Sequence, residues 1–96
     1  MSTRRSKLDI RLKILAAVRD GVDKPTRIMY AANLSWKPTQ RVLSQLMEHG
    51  LVAEVRNAES PKSRRKYEIT EKGTAVLEYF DKARMILPID EVYTQE

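Results

Sequence analysis

Ninety-six residues suit one compact domain and leave no room for a second core of ordinary size. Hydrophobic residues make up 42% and charged residues 32%, a globular balance, and the absence of cysteine excludes disulfide support. A formal net charge of +5 and a sequence pI near 9.7 favour an anionic partner, nucleic acid first and a membrane surface second. The longest apolar run, Ile14 to Val18, is far too short to cross a bilayer, and no secretory apolar segment follows the basic N-terminus. A cytoplasmic chain without membrane association is therefore expected.

Residues 1–5 form a flexible basic N-terminus carrying Arg4 and Arg5. A first helix is predicted over residues 7–20, capped by Ser6, with Asp9 favourably placed in its first turn and Gly21 as its stop. Leu8, Leu12 and Leu15 make one stripe, and Ile10, Ile14 and Val18 widen it, a breadth that suggests two packing surfaces. A short second helix covers residues 24–32, with Asp23 as candidate cap and Pro25 tolerated in the first turn. Asn33 suits the left-handed conformation that ends a helix, Leu34 points inward, and Ser35 caps a third helix over residues 36–49. Pro38 falls within that helix's first turn, where its missing N–H forfeits no bond.

Two alternating segments, 51–57 and 64–69, flank the turn-rich stretch Asn57 to Ser63 and predict a hairpin. Thr70 caps a last helix that runs to Leu87, where Pro88 stops it at about 17 residues, or about 25 Å. Residues 88–96 form an acidic tail. The fold class is thus mainly α with a small β-hairpin. Its order (helix, helix, three-residue turn, helix, hairpin, helix) is that of a winged helix-turn-helix over residues 6–70, with a C-terminal dimerisation helix over 71–87.

On a helical wheel Thr39, Val42, Leu43, Leu46 and Met47 share one face of the third helix. Trp36 falls with them, as a core anchor where the helix begins rather than a base-stacking residue. Tyr30 and Met29 are assigned to packing in the same way. Lys37, Arg41, Ser44 and Glu48 lie opposite, flanked by Gln40 and Gln45. Arg and Lys pair with guanine, Gln with adenine, and Ser with base edges or phosphate, so Lys37, Gln40, Arg41 and Ser44 are the base-edge candidates. The bland reading of such a face is ordinary solvation; the preceding helix and turn favour the groove.

The hairpin concentrates charge. Arg56, Lys62, Arg64, Arg65 and Lys66 oppose only Glu59 within residues 56–66, which suits a wing lying on phosphates or reaching into the minor groove. The alternative is a charged edge that discourages aggregation. On the last helix Val76, Phe80, Ala83 and Leu87 form one stripe with Leu77, Tyr79 and Ile86 beside it, too much apolar surface to leave in water. Folding back on the first helix would cover it. Pairing with a second copy would cover both this surface and the broad first helix, so Val76, Leu77, Phe80, Ala83 and Leu87 are the expected dimer interface.

An enzyme is not expected. His49 is the only histidine and sits at a helix end, and the sequence offers no metal-ligand cluster, phosphate-cradling glycine loop or nucleophile–base pair. No cofactor, metal or small-molecule ligand is expected.

The run from Pro25 to Trp36, PTRIMYAANLSW, resembles archaeal winged-helix regulators, as does Tyr67 to Gly73, YEITEKG. That group includes small chromatin-associated DNA-binding proteins of Sulfolobus that dimerise through an antiparallel coiled coil, and the resemblance covers residues 6–87. It implies DNA binding by the third helix and wing, and dimerisation by the last helix. Pro38 departs from the usual helix former there, and Pro88 favours a compact helix pair over a long coiled coil. The expected function is a homodimeric, nucleoid-associated regulator of transcription that binds double-stranded DNA. A sequence-tolerant architectural protein and a protein–protein module are the alternatives.

Overall fold

A computed structural model describes residues 6–55 and 65–87. Its elements are α1 (Lys7–Arg19), α2 (Pro25–Ala32), α3 (Trp36–Glu48), β1 (Val52–Val55), β2 (Lys66–Ile69) and α4 (Glu71–Ile86). The order is the one expected for a winged helix. Arg56, Lys62 and Arg64, the basic arm with Arg4 and Arg5, and the tail from Pro88 onward lie outside the described residues.

Ser6 starts α1: its Oγ accepts from the Asp9 N–H at 2.9 Å, satisfying one otherwise unpaired donor. Leu12, Ile14, Leu15 and Val18 are buried, and α1 packs against α2, α3, α4 and β2 of its own chain. The breadth of its apolar surface thus has an intramolecular cause, since several elements of the same chain pack on it. Each such side chain contributes about 1.5–3 kcal/mol when fully buried.

The N-cap of α2 is Lys24, not Asp23, and it makes no side-chain capping bond. The backbone explains the shift. The Asp23 carbonyl accepts from the Tyr67 N–H at 2.8 Å, so the segment before α2 is tied to β2 instead. Asn33 ends α2 at φ 58°, ψ 49°, and the Leu34 N–H reaches back to the Met29 carbonyl. Leu34 turns in and packs on the core, so the short turn fixes the direction in which α3 leaves. At the head of α3 the Ser35 side chain caps nothing. Its carbonyl instead accepts from both the N–H and the hydroxyl of Thr39, at 3.2 and 2.8 Å. Pro38 therefore precedes the first donor that α3 uses.

The strands are antiparallel, with Val52 opposite Ile69 and Glu54 opposite Tyr67. Val52 and Tyr67 are buried, which turns Ala53 and Val55 outward. Tyr67, the largest side chain of the pair, sets which face of the hairpin turns inward.

Thr70 joins the hairpin to α4. Its Oγ1 accepts from the Gly73 N–H and donates to the Gly50 carbonyl, while its own N–H donates to the Leu51 carbonyl. Lys72 adds a 2.8 Å bond to the His49 carbonyl. Gly73 packs so closely that a Cβ there would fall on the Leu51 carbonyl oxygen. Glycine is required at this position for room, not for an unusual φ.

Held in this way, α4 spends much of its apolar stripe at home. Leu77 is buried, and Val76 and Phe80 are half-buried against the same core. Leu77 is thus taken up by the core of its own chain, while Val76 and Phe80 keep part of their surface exposed beside it. What α4 leaves exposed is Tyr79, Met85, Ile86 and Leu87, with Ala83 half-buried beside them.

Candidate nucleic-acid interface

The apolar periodicity of α3 buries Thr39, Leu43 and Leu46, and Val42 and Met47 pack at the margins. That anchoring leaves Lys37, Arg41 and Ser44 exposed on the opposite face. The three are spaced so that successive turns present a cation, a cation and a hydroxyl along one line. Gln45, on the flank, is already engaged, accepting from Arg11 Nη2 at 2.9 Å. This bond braces α3 against α1 and takes Gln45 out of the set available to a partner.

Gln40 departs from expectation. It is half-buried, and its Nε2 is buried with no hydrogen-bond partner. The residue lines a cleft between α2, the head of α3 and the hairpin instead of extending the line of Lys37, Arg41 and Ser44. Trp36 lines the same cleft and is 49% exposed, so its expected role as a core anchor is corrected. Its ring falls beyond the end of the core because the buried stripe of α3 begins only at Thr39. Tyr30, expected to pack, is 73% exposed on the cleft wall. Lys24, Arg27 and Arg65 complete the lining charge.

Lys24 and Arg27 were missed among the candidate residues. A signal existed in the sequence: both fall at the start of the helix preceding the turn, on either side of Pro25-Thr26. Arg65 and Lys66 are exposed at the base of the wing, and Arg65 also pairs with Glu54 at 3.2 Å. Cationic groups thus border the head of α3 on its α2 and hairpin sides.

A family model described as winged helix-turn-helix matches residues 4–87. The chain belongs to the winged helix-turn-helix family. Among curated relatives of this winged-helix chain, the Methanocaldococcus jannaschii protein MJ0287 is 33% identical over 73% of the chain and 64% of its own length. The protein MJ0290 of the same organism is 34% identical over 91% of the chain but only 38% of its own length. The winged-helix chain therefore spans less than two thirds of either relative.

Solved structures share the fold. The smu.1704 protein of Streptococcus mutans superposes with a TM-score of 0.76 at 23% identity, covering 96% of this chain and 92% of that one. The transcriptional regulator BldR of Sulfolobus solfataricus gives 0.71 at 20%, covering 91% and 62%. A mutant MarR of E. coli, complexed with operator DNA, gives 0.63 at 20%, covering 72% and 49%. The chain thus shares its winged-helix fold with proteins that include transcriptional regulators. Among the described residues no helix is long and apolar enough to cross a membrane.

Proposed function

We propose that this chain is a non-enzymatic, homodimeric regulator of transcription that binds duplex DNA, with α3 in the major groove and the hairpin wing on phosphates or in the adjacent minor groove. The observation that carries this reading is the exposed line Lys37, Arg41 and Ser44, set on a helix whose opposite face is locked into the core. Such a face offers bidentate donors to guanine and a hydroxyl to base edge or phosphate. The operator complex of a structural neighbour supports the same use of the fold. Arg65 and Lys66 at the foot of the wing, with Arg56, Lys62 and Arg64 in the sequence of its tip, supply sequence-blind affinity.

Pairing through the outer end of α4 brings two copies of α3 into play. Tyr79, Met85, Ile86 and Leu87 are apolar or aromatic and exposed within three turns of one another. A two-fold dimer on this surface addresses two half-sites, about one helical turn apart where the axis allows it.

A salt titration of duplex binding tests the reading. Neutralising about five phosphates per chain gives a log–log slope near −4.5 per chain. The absence of duplex binding at low salt overturns it.

A further inference from the structure

The cleft bordered by Trp36 and Tyr30 has the chemistry of a second, different nucleic-acid site. We propose that it takes one unpaired nucleotide of DNA, such as a strand end or a base released from an opened duplex. The base stacks on Trp36 and Tyr30 while Lys24, Arg27 and Arg65 hold its phosphates. The inference builds on a DNA partner and shares Arg65 with the wing, but it is separable from the groove reading, which rests on Lys37, Arg41 and Ser44.

Four observations converge. Trp36 and Tyr30 are 49% and 73% exposed, so two large ring surfaces lie in water without contributing fully to the core. Among the described residues, both line one concavity together with three cationic side chains and no carboxylate, which favours an anionic ligand over a cationic one. Glu54 stands just outside, paired with Arg65 at 3.2 Å, yet the Arg65 side chain remains 55% exposed. Gln40 Nε2, also on the lining, is a buried donor without a partner. A base carbonyl or phosphate oxygen in the cleft would satisfy it.

Size narrows the ligand further. The cleft holds about 810 Å³, far more than one phosphate needs and within the range that encloses a whole small ligand. Bases inside a duplex have both faces already stacked and show only their edges. Two open aromatic faces beside cations therefore match an unpaired base, the arrangement by which single strands are held on stacking platforms.

Trp36 is the only tryptophan, so it reports on its own occupancy. The full chain is titrated at low salt with an oligothymidylate of about eight nucleotides, a length within one such site. Saturable quenching of Trp36 fluorescence is expected. By anisotropy of the labelled oligonucleotide, Trp36→Ala weakens binding about 5- to 150-fold, the loss of one base–aromatic stack, and Trp36→Phe restores most of it. Affinity of Trp36→Ala for a blunt hairpin duplex stays within about two-fold of wild type.

Absence of quenching and of oligothymidylate binding overturns the proposal while leaving duplex binding to be judged by its own titration. Equal losses on single strand and duplex also overturn it and assign the cleft to the duplex contact. Should Trp36→Ala prove unfolded by circular dichroism, Tyr30→Ala serves in its place: its ring is outside the core, and the same selective loss is expected.

Discussion

Replacing Gly73 by alanine tests the joint between hairpin and last helix. Gly73 sits in the first turn of α4 without a positive φ, so on helix propensity alone alanine should stabilise the chain by about 1 kcal/mol. The structure predicts the opposite sign. The new Cβ would fall on the Leu51 carbonyl oxygen and within 2.8 Å of Ile69 Cγ1. The nearer obstacle is backbone and cannot rotate away. Moving α4 outward would relieve the overlap only by stretching the Thr70 bonds to Gly50 and Leu51, each worth about 0.5–1.5 kcal/mol. Overpacking of this kind costs about 1–3 kcal/mol, and a rigid wall places it toward the upper end. A net loss of about 2 kcal/mol, equivalent to about 8–16 °C in Tm for a domain of this size, is expected. Thermal and urea unfolding followed by far-UV circular dichroism, at one fixed chain concentration so that dimerisation does not shift the midpoint, measures it. A Gly73→Ala chain as stable as wild type, or more so, would refute the close approach.

Two further outcomes follow from other parts of the fold. Asn33 holds φ 58° at the end of α2, a conformation that costs a β-carbon-bearing residue about 1–2 kcal/mol. Asn33→Val should therefore lower stability by at least that amount while Asn33→Gly leaves it nearly unchanged; equal stability of the two variants contradicts the left-handed turn. Ile86, 80% exposed, lies on the outer end of α4 and outside the core. Ile86→Glu should leave the fold intact and convert a dimer to monomer by sedimentation equilibrium, whereas a monomeric wild type ends the dimer proposal.

The architecture was legible because its signals are local. Ser6 and Thr70 cap as their side chains suggest, Asn33 turns left-handed, and the wheel of α3 separates a core face from an outer face, with Gln40 and Gln45 half-buried between them. What was not legible depends on where an element ends relative to the core. Trp36 has the phase of a core residue but stands before the first buried position, so periodicity misassigns it. Tyr30 differs: it stands between the buried Ile28 and Ala32 but on the opposite face of α2, so residue type and not phase misassigns it. Apolar surface on α4 is conspicuous in the sequence, yet only the packing shows that Leu77 faces its own α1 and hairpin while Ile86 extends past them. Asp23 is a sound cap by type, but its backbone is claimed by Tyr67. Lys24 and Arg27 flank Pro25-Thr26 in the sequence, but it is folding that sets them beside Trp36 and Arg65.

The claim that α3 reads DNA sequence is tested most directly by the specificity ratio of Arg41→Ala against wild type. Duplexes selected from a random pool by the wild-type chain are compared with unselected ones, at one salt concentration, by anisotropy. Arg41 is exposed on the outer face and its removal leaves the core untouched. Loss of a bidentate base contact should cost about 1–3 kcal/mol on the selected sequence and little on random DNA, so the ratio contracts about 5- to 150-fold. An unchanged ratio, with both affinities falling together, would contradict sequence reading by α3 and leave a sequence-tolerant architectural role in its place.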